Sequence, residues 1–577
     1  VPFTPGQVRS AVFFGGGGVS PGFPVGAVSN LQIYNARVTP YNVPNDGSPA
    51  KALIQAIIDA IAGAKATIYF PPGAYGLEAD LTFPSNIRLW MEKGARFTAT
   101  VAGRTLTING DIDFSLDRVF DQSVNAFALV FGKGSTPALS PEWWGAIGDG
   151  ATDNTTPFQQ MLDSANGSAV KHCRLAAAVY LTGMLTMPGN GIVIEGVGSS
   201  YGYASPTSSS ILKAKAGAGA HLINLVVTGT AVDRSYCQLR NFEIDGQTNV
   251  QNGINVSSQN IIDGVTCRNC TNAGILLANF TNQTLIDRCY LSENSGWGVR
   301  IVGPSATIFS IRRSNIRVNT LGGILAEGGA MMDVVDCVIE SNFGPGVRIY
   351  RPNTGIGAFC DIFTFQSSWI ENNGRTSLWS IEVDSQTRDY GTGPPTRIRF
   401  VDCIVDAGAA AQKYMTVQSV RYLTFENCIF GTSTAADAVT LGAFASNVAF
   451  VETTGITAAQ MAAALATGKR CYSSDRETRL APAYTNGWVD FGGGYAGVKY
   501  WADDQGVVHI EGMMKSGAIG LSAFTLAQGY RPATTRRFPV SSNNAFGQVD
   551  IGADGTVKPD AGNNTSFVLE GIAFRTD

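Results

Sequence analysis

Gly253-Ile254-Asn255-Val256, Gly274-Ile275-Leu276-Leu277, Gly298-Val299-Arg300-Ile301, Gly323-Ile324-Leu325-Ala326 and Gly346-Val347-Arg348-Ile349 follow one another within residues 253–383. Ser380-Ile381-Glu382-Val383 keeps the pattern without the glycine. The glycines step by 21, 24, 25 and 23 residues, a period that belongs to stacked repeats. Positions one and three after the glycine are apolar in all six copies, while position two varies freely. That is the period of a strand and not of a helix.

Each copy also predicts a second strand with a small residue at a fixed place: Cys267, Cys289, Ser314, Cys337, Ser368, Cys403 and Cys428. Five residues beyond it in the early copies stands an asparagine, Asn272, Asn294, Asn319, Asn342 or Asn373. Stacking the copies makes an inward column of small side chains and a ladder of amides at a turn. The expected fold is all-β: a right-handed parallel β-helix of about 20–25 residues per coil, with rungs roughly 4.8 Å apart.

Composition agrees with this and excludes other classes. Charged residues are only 15% and glycines number 67, as expected for coils with tight turns and uncharged outer faces. A net charge of −4 gives no basic footprint for nucleic acid. No apolar run approaches the roughly 18 residues of a membrane span, so no membrane insertion is expected. The three histidines, His172, His221 and His509, are scattered, which gives little support to a metal site or a Ser/His/Asp triad. No cofactor is expected. Five of the ten cysteines fall in the inward column, which predicts buried thiols and not a disulfide framework. Cys267-Arg268-Asn269-Cys270 lacks a second ligand pair for a metal.

Five segments are expected. Residues 1–30, with Gly15 to Gly18 in a row, read as an extended linker or arm. Residues 31–140 read as a small β-rich collar with one helix near Pro49 to Ala62. Residues 141–451 form the β-helix, with a capping helix from about Asn154 to Ser164. Residues 452–479 are a helical connector, and 480–577 a C-terminal β-sandwich for trimerisation or carbohydrate binding. Insertions at Arg351 to Phe359 and Thr387 to Arg397 map to loops on one face.

Glu142-Trp143-Trp144-Gly145-Ala146, with Gly148-Asp149-Gly150 and Asp153, resembles the opening motif of pectate-lyase-like β-helices in bacteriophage tailspike depolymerases. Tyr41 to Ser48 and Tyr69 to Tyr75 look like a weaker copy of it, and Gly529-Tyr530-Arg531-Pro532 is similar to C-terminal modules of phage fibres and spikes. The resemblance implies a homotrimer on the virion, at the phage tail, acting at the host cell surface. Its partners would be a bacterial surface polysaccharide (capsule or lipopolysaccharide O-antigen) and the phage tail or baseplate, reached through an N-terminal region ahead of Val1. The implied chemistry is hydrolysis by paired carboxylates or β-elimination at a uronic acid. A non-catalytic glycan-binding adhesin, a plain structural spike and a bacterial pectinase-type enzyme are the competing readings. Trp143 and Trp144 read as core or interface packing, and Asp149 and Asp153 as turn and helix caps.

The repeat predicts which side chains face outward. After each glycine, positions two and four form columns that gather Arg300, Glu327, Arg348, Tyr350, Glu382 and Asp384 on the later rungs. Glu327 and Asp384 fall two rungs apart, roughly 9.6 Å at the backbone, near the span of about 6.5–9.5 Å of inverting glycosidases. On the second strand Glu340 and Glu371 fall on adjacent rungs, roughly 5 Å apart, with Trp369 beside them as a sugar platform. That pair reads equally as chemistry or as turn structure, paired with Arg317. The catalytic candidates are therefore Glu327, Asp384, Glu340, Glu371 and Tyr350. The substrate-binding candidates are Arg348, Arg300, Glu382, Trp369, Trp297 and Arg351, with Trp379 as a wider one. Few histidines and many outward acids favour hydrolase over lyase.

Overall fold

The computed structural model describes residues 32–199, 208–226, 235–256, 258–277, 281–303, 306–352, 360–386, 393–465, 472–473, 479–503 and 507–576. The expected arm at 1–30 and most of both inserted loops lie outside them.

Three long parallel sheets form the body of the molecule. Among the described residues, face one has eleven strands, from Asp149–Asp153 to Ile429–Gly431. Face two has twelve, from His172–Arg174 to Tyr472–Ser473, and face three has ten, from Leu185–Thr186 to Val439–Ala445. Each coil visits face two, face one and face three in turn, then climbs one rung, so every strand pairs with the strand one coil away. This is the parallel β-helix that the repeat predicts.

Two corners explain how the coil closes with so few residues. Between faces two and one a single residue adopts a left-handed conformation: Arg288, Arg313, Asp336, Ser367, Asp402 and Asn427 lie at φ 46–55°. Between faces one and three another does so, at Asn269, Glu293, Val318, Ser341 and Asn372, with φ 50–58°. One such residue reverses the chain without a hairpin, at a steric cost that is smallest for Asn and Asp.

The corner between faces one and three is held by stacked amides. Asn319 Nδ2 donates to Asn342 Oδ1 at 3.0 Å, and Asn342 Nδ2 to Asn373 Oδ1 at 2.8 Å. Their Oδ1 atoms also accept from the backbone N–H one rung below, so each buried polar atom has a partner. The ladder corrects one alignment. Asn294 Oδ1 accepts from Cys270 N at 3.0 Å, so Cys270 and not Asn272 holds that place on the rung below. Likewise Cys267 pairs with Leu291, and Val265 stands below Cys289. Cys267 and Asn272 were expected two residues out of register: Val265 holds the small-residue place on that coil and Cys270 the asparagine place.

The glycine column has a steric cause. A Cβ on Gly323 would lie 2.4 Å from the carbonyl oxygen of Gly346, and one on Gly274 would lie 2.9 Å from that of Gly298. The two apolar residues after each glycine are fully buried in all six copies. Further up, Phe365, Phe400, Phe425 and Phe450 stack inside face two, with ring centroids 4.5, 4.8 and 5.3 Å apart. The nine described cysteines are buried and none is in a disulfide.

Residues 32–131, expected as a collar, are themselves wound into three short parallel sheets. Helix α1 (Lys51–Ile61) buries Ile54, Ile57 and Ile61, and it follows strand Asp46–Pro49, which pairs with Gly73–Leu77. Strand Asp149–Asp153 and helix α2 (Thr155–Gly167) repeat that plan, pairing with Val179–Thr182. The weaker copy of the opening motif is thus a second coil start. Trp143 and Trp144 are buried between Phe114, Phe120 and Phe131. Asp149 Oδ1 accepts from the N–H groups of Ala151 and Thr152, and Asp153 Oδ1 from that of Thr155. Helix α3 (Ala458–Leu465) closes the far end with Met461 and Ala464 buried, and Gln460 Nε2 donates to Ala435 O at 2.8 Å. Residues 489–575 carry two antiparallel sheets of seven and three strands.

Candidate active site

Face three carries most of the candidate site residues. Its registers place Leu276, Arg300, Leu325, Arg348, Glu382 and Thr416 on successive rungs of one outward column. In the second column Val302 pairs with Glu327, and Tyr350 with Asp384. Strand geometry alone sets this order, because alternate residues of a half-buried strand share a face.

Four side chains occupy a two-by-two patch on neighbouring rungs: Arg348 and Tyr350 on one, Glu382 and Asp384 on the next. Arg348 Nε lies 3.4 Å from Glu382 Oε2, and its guanidinium stands 5.4 Å from the Tyr350 ring centroid. Burial pushes the Glu382 carboxyl above the usual carboxylate range. Arg348 pulls it down and the nearby Asp384 pushes it up, and the net direction is up. Asp384 accepts a hydrogen bond from Ser385 N at 2.8 Å. One carboxyl inclined to keep its proton therefore stands beside a second carboxyl, a guanidinium and a phenol.

Glu327 has another arrangement. Its Oε2 accepts from Arg300 Nε at 2.9 Å and from Nη2 at 2.6 Å, and Arg300 Nη1 also donates to Asn272 Oδ1 at 2.8 Å. Glu327 and Arg300 are thus committed to each other across one rung. Arg351 lies against the second inserted loop, where a Cβ on Gly393 would be 2.4 Å from its Nη1. Trp297 is buried, with its ring over Gly322, and offers no open face for a sugar. Trp379 begins the Glu382 strand and has Lys413 Nζ 4.7 Å over its ring.

Glu340 and Glu371 are in register on face one, and Asp406 extends the column by a third acid. Arg317 Nη1 lies 3.0 Å from Glu340 Oε1, and Asp406 Oδ1 accepts from Gly408 N at 2.8 Å. Trp369, two residues before Glu371, is 44% exposed. This column lies on face one, across the asparagine corner from the patch, so Glu371 stands on a different face from Tyr350 and Asp384. Sequence reasoning gave Glu382 a binding role only; its place two residues before Asp384 on one strand was the available signal for more. Among the described residues no group of three or more His, Cys, Asp or Glu is placed to hold a metal ion, and no helix is long and apolar enough to cross a membrane.

No curated protein matches the sequence. Among solved structures, the chain is similar to ORF18 of Geobacillus virus E2, at 15% identity and a TM-score of 0.44 over 76% of each chain. It is also similar to the A-module of Azotobacter vinelandii mannuronan C-5 epimerase AlgE4, at 13% identity and a TM-score of 0.37, over 54% of this chain and 91% of that one. The Dettilon tailspike protein gp208 aligns over 93% of both chains at 10% identity and a TM-score of 0.34. Residues 190–358 and 252–454 match the family described as right handed beta helix region. The coils that carry the patch are therefore a right-handed parallel β-helix.

Proposed function

We propose that this protein is a phage tailspike that binds and depolymerises a bacterial surface polysaccharide by glycoside hydrolysis. The observation that carries the reading is the outward pair Glu382 and Asp384, with the Glu382 carboxyl pushed up by burial. Same-face neighbours on a strand stand roughly 6.6 Å apart at the backbone, at the near end of the about 6.5–9.5 Å of inverting pairs. Glu382 donates its proton to the glycosidic oxygen as the C–O bond breaks. Asp384 takes a proton from the water that attacks the anomeric carbon from the opposite side. Arg348 and Tyr350 hold the sugar beside them. A homotrimer anchored to the tail, acting at the host surface, completes the proposal, and the resemblance of the 142–153 motif supports it.

A second reading rests on Arg348 beside Tyr350. In β-elimination the guanidinium would neutralise a uronate and the phenol would take the C5 proton. Incubation with host surface glycans, followed by sizing of the products, tests both. Shortened saturated chains support hydrolysis, and the ultraviolet absorbance of an unsaturated uronate supports elimination. Tight binding with the polymer intact overturns both and leaves an adhesin.

A further inference from the structure

The outward columns of face three change character at the acid pair. On the rungs before it stand Arg300, Glu327, Arg348 and Tyr350. The rung after it carries Thr416, in register with Glu382, and Gln418, two residues on and on the same face. Both are half-buried. We propose that Thr416 and Gln418 hold the sugar unit on the other side of the scissile bond from Arg348, and that this unit is a neutral sugar, without a carboxylate or other anionic group. The assignment rests on the depolymerase reading and adds the substrate class on one side of the cut.

The backbone is rebuilt locally around the Gln418 amide. From Arg300 to Glu382 the rungs pair without a shift. Beyond them Val417 pairs with Leu441 but Ser419 with Phe444, so Gly442 and Ala443 together stand opposite Gln418 alone. This is a β-bulge, a device by which a strand re-aims one side chain. Gly442 leaves the room: a Cβ there would lie 2.8 Å from the Gln418 carbonyl oxygen and 2.8 Å from its Oε1.

The two side chains orient each other. Gln418 Nε2 donates to Thr416 Oγ1 at 2.8 Å. That bond leaves the Thr416 hydroxyl hydrogen, the second Nε2 hydrogen and Gln418 Oε1 without partners among the described residues. Two donors and one acceptor match sugar hydroxyls, which both donate and accept. The charge around them is also settled. Strands Lys413–Val420 and Val439–Ala445 carry one charged side chain, Lys413, and its Nζ bonds Asp437 and lies over the Trp379 ring. An anionic sugar unit would give up water here for neutral partners, with the Asp384 carboxyl one rung away. A neutral unit meets no such cost.

Register links this rung to the acid pair. Arg348, Glu382 and Thr416 follow one another in one column, roughly 4.8 Å per rung. A glycan crossing the strands over Glu382 and Asp384 meets Arg348 and Tyr350 on one side and Thr416 and Gln418 on the other. Thr440, in register with Thr416, continues the uncharged surface by one more rung.

The full chain is incubated with a panel of purified bacterial capsular and O-antigen polysaccharides, and the two sugar units flanking the cut bond are identified from the new chain ends by mass spectrometry. At least one is expected to be neutral, and two anionic units overturn the proposal. On the polymer that is cut, Thr416→Val and Gln418→Ala are each expected to raise KM about tenfold with kcat within about threefold, the mark of a contact made equally before and during the reaction. Cleavage with KM unchanged in both variants overturns the proposal and leaves the depolymerase reading standing. Gln418→Arg separates a neutral from an anionic occupant: it is expected to raise KM, and a KM below the parent's overturns the neutral assignment. If no polymer is cut, the depolymerase reading fails, and the same variants are compared by retention on columns of the bound polymer. Retention weakened about tenfold by Thr416→Val and Gln418→Ala keeps the sugar contact; unchanged retention, or no polymer bound at all, overturns it.

Discussion

Arg300 donates two hydrogen bonds to one oxygen of Glu327, at 2.9 and 2.6 Å, across a single rung of face three. The two side chains are 31% and 24% exposed, so water screens the pair and its net worth is about 1 kcal/mol or less. Glu327→Gln keeps the shape and an acceptor, and should leave cleavage within about a factor of ten of the parent while lowering stability by no more than about 1 kcal/mol. Paired turnover and denaturant measurements check this. A complete loss of turnover in a folded Glu327→Gln variant would return Glu327 to the reaction centre.

Glu382 and Asp384 should behave otherwise. Glu382→Gln and Asp384→Asn should each reduce kcat by about 10²–10⁴, the usual contribution of a positioned acid or base, with glycan binding retained. Binding to a polymer column, measured beside turnover, separates the two effects.

The Glu382 carboxyl also sets a pH dependence with a definite sign. Its folded-state value is raised, so activity that needs its proton is lost as pH rises through that raised value. Arg348→Gln removes the group that pulls it down, so the alkaline limb of the kcat profile should move to higher pH even as kcat falls. Stability follows the same proton. The folded state holds it more tightly than the unfolded chain, so this contribution is full below the usual carboxyl range and is lost as pH rises through the raised folded-state value. Glu382→Gln should therefore raise Tm relative to the parent at neutral pH and lose that advantage in acid. A Tm difference independent of pH would contradict the assignment.

How much of this the sequence carried depends on what each feature needs. The six apolar pairs behind Gly253 to Ser380 were legible because strand alternation and a fixed coil length act locally, and all twelve residues are buried. The register slip at Cys267 arose because that coil has Val265 at the small-residue place and Cys270 where later coils have asparagine, and the contact of Cys270 with Asn294 fixes the register. Outward placement of Glu382 and Asp384 was legible for the same local reason as the core. The division of roles proposed for them was not, since it depends on how much water the neighbouring rungs leave at Glu382. Likewise Trp297 lies on the predicted strand, but its burial follows from the missing side chain at Gly322 one rung away. The coils of residues 32–131 went unread because they carry no glycine-led repeat.

The amide ladder predicts a cost that is large for one exposed-looking turn residue. Asn342 accepts from Asn319 N and Nδ2 at 2.9 and 3.0 Å, and donates to Asn373 Oδ1 and Ile316 O at 2.8 and 3.0 Å. Asn342→Ala leaves buried groups on two neighbouring rungs without partners, each costing about 1–3 kcal/mol. The expected loss is about 2–4 kcal/mol in denaturant unfolding. A change below about 0.5 kcal/mol would mean that the coil relaxes or that water replaces the amide.

Two places in the glycine column should respond in opposite directions. Gly323 cannot take a Cβ without moving the carbonyl of Gly346, which would stand 2.4 Å away, and the Ile339 side chain at 2.8 Å also blocks it. Gly323→Ala should therefore destabilise by about 1–3 kcal/mol, the usual cost of overpacking a close-packed interior. Ser380 holds the same place one rung beyond Gly346, fully buried, and its hydroxyl has no hydrogen-bond partner among the described residues. The coil has already made room for a Cβ there, so the oxygen alone is the liability. Ser380→Ala removes it and should stabilise by about 1 kcal/mol, the lower end of the cost of an unsatisfied buried hydroxyl. Denaturant midpoints of the two variants, measured at equal m, give the comparison directly, and a loss of stability in both would mean that Ser380 is anchored by a bond absent from this packing.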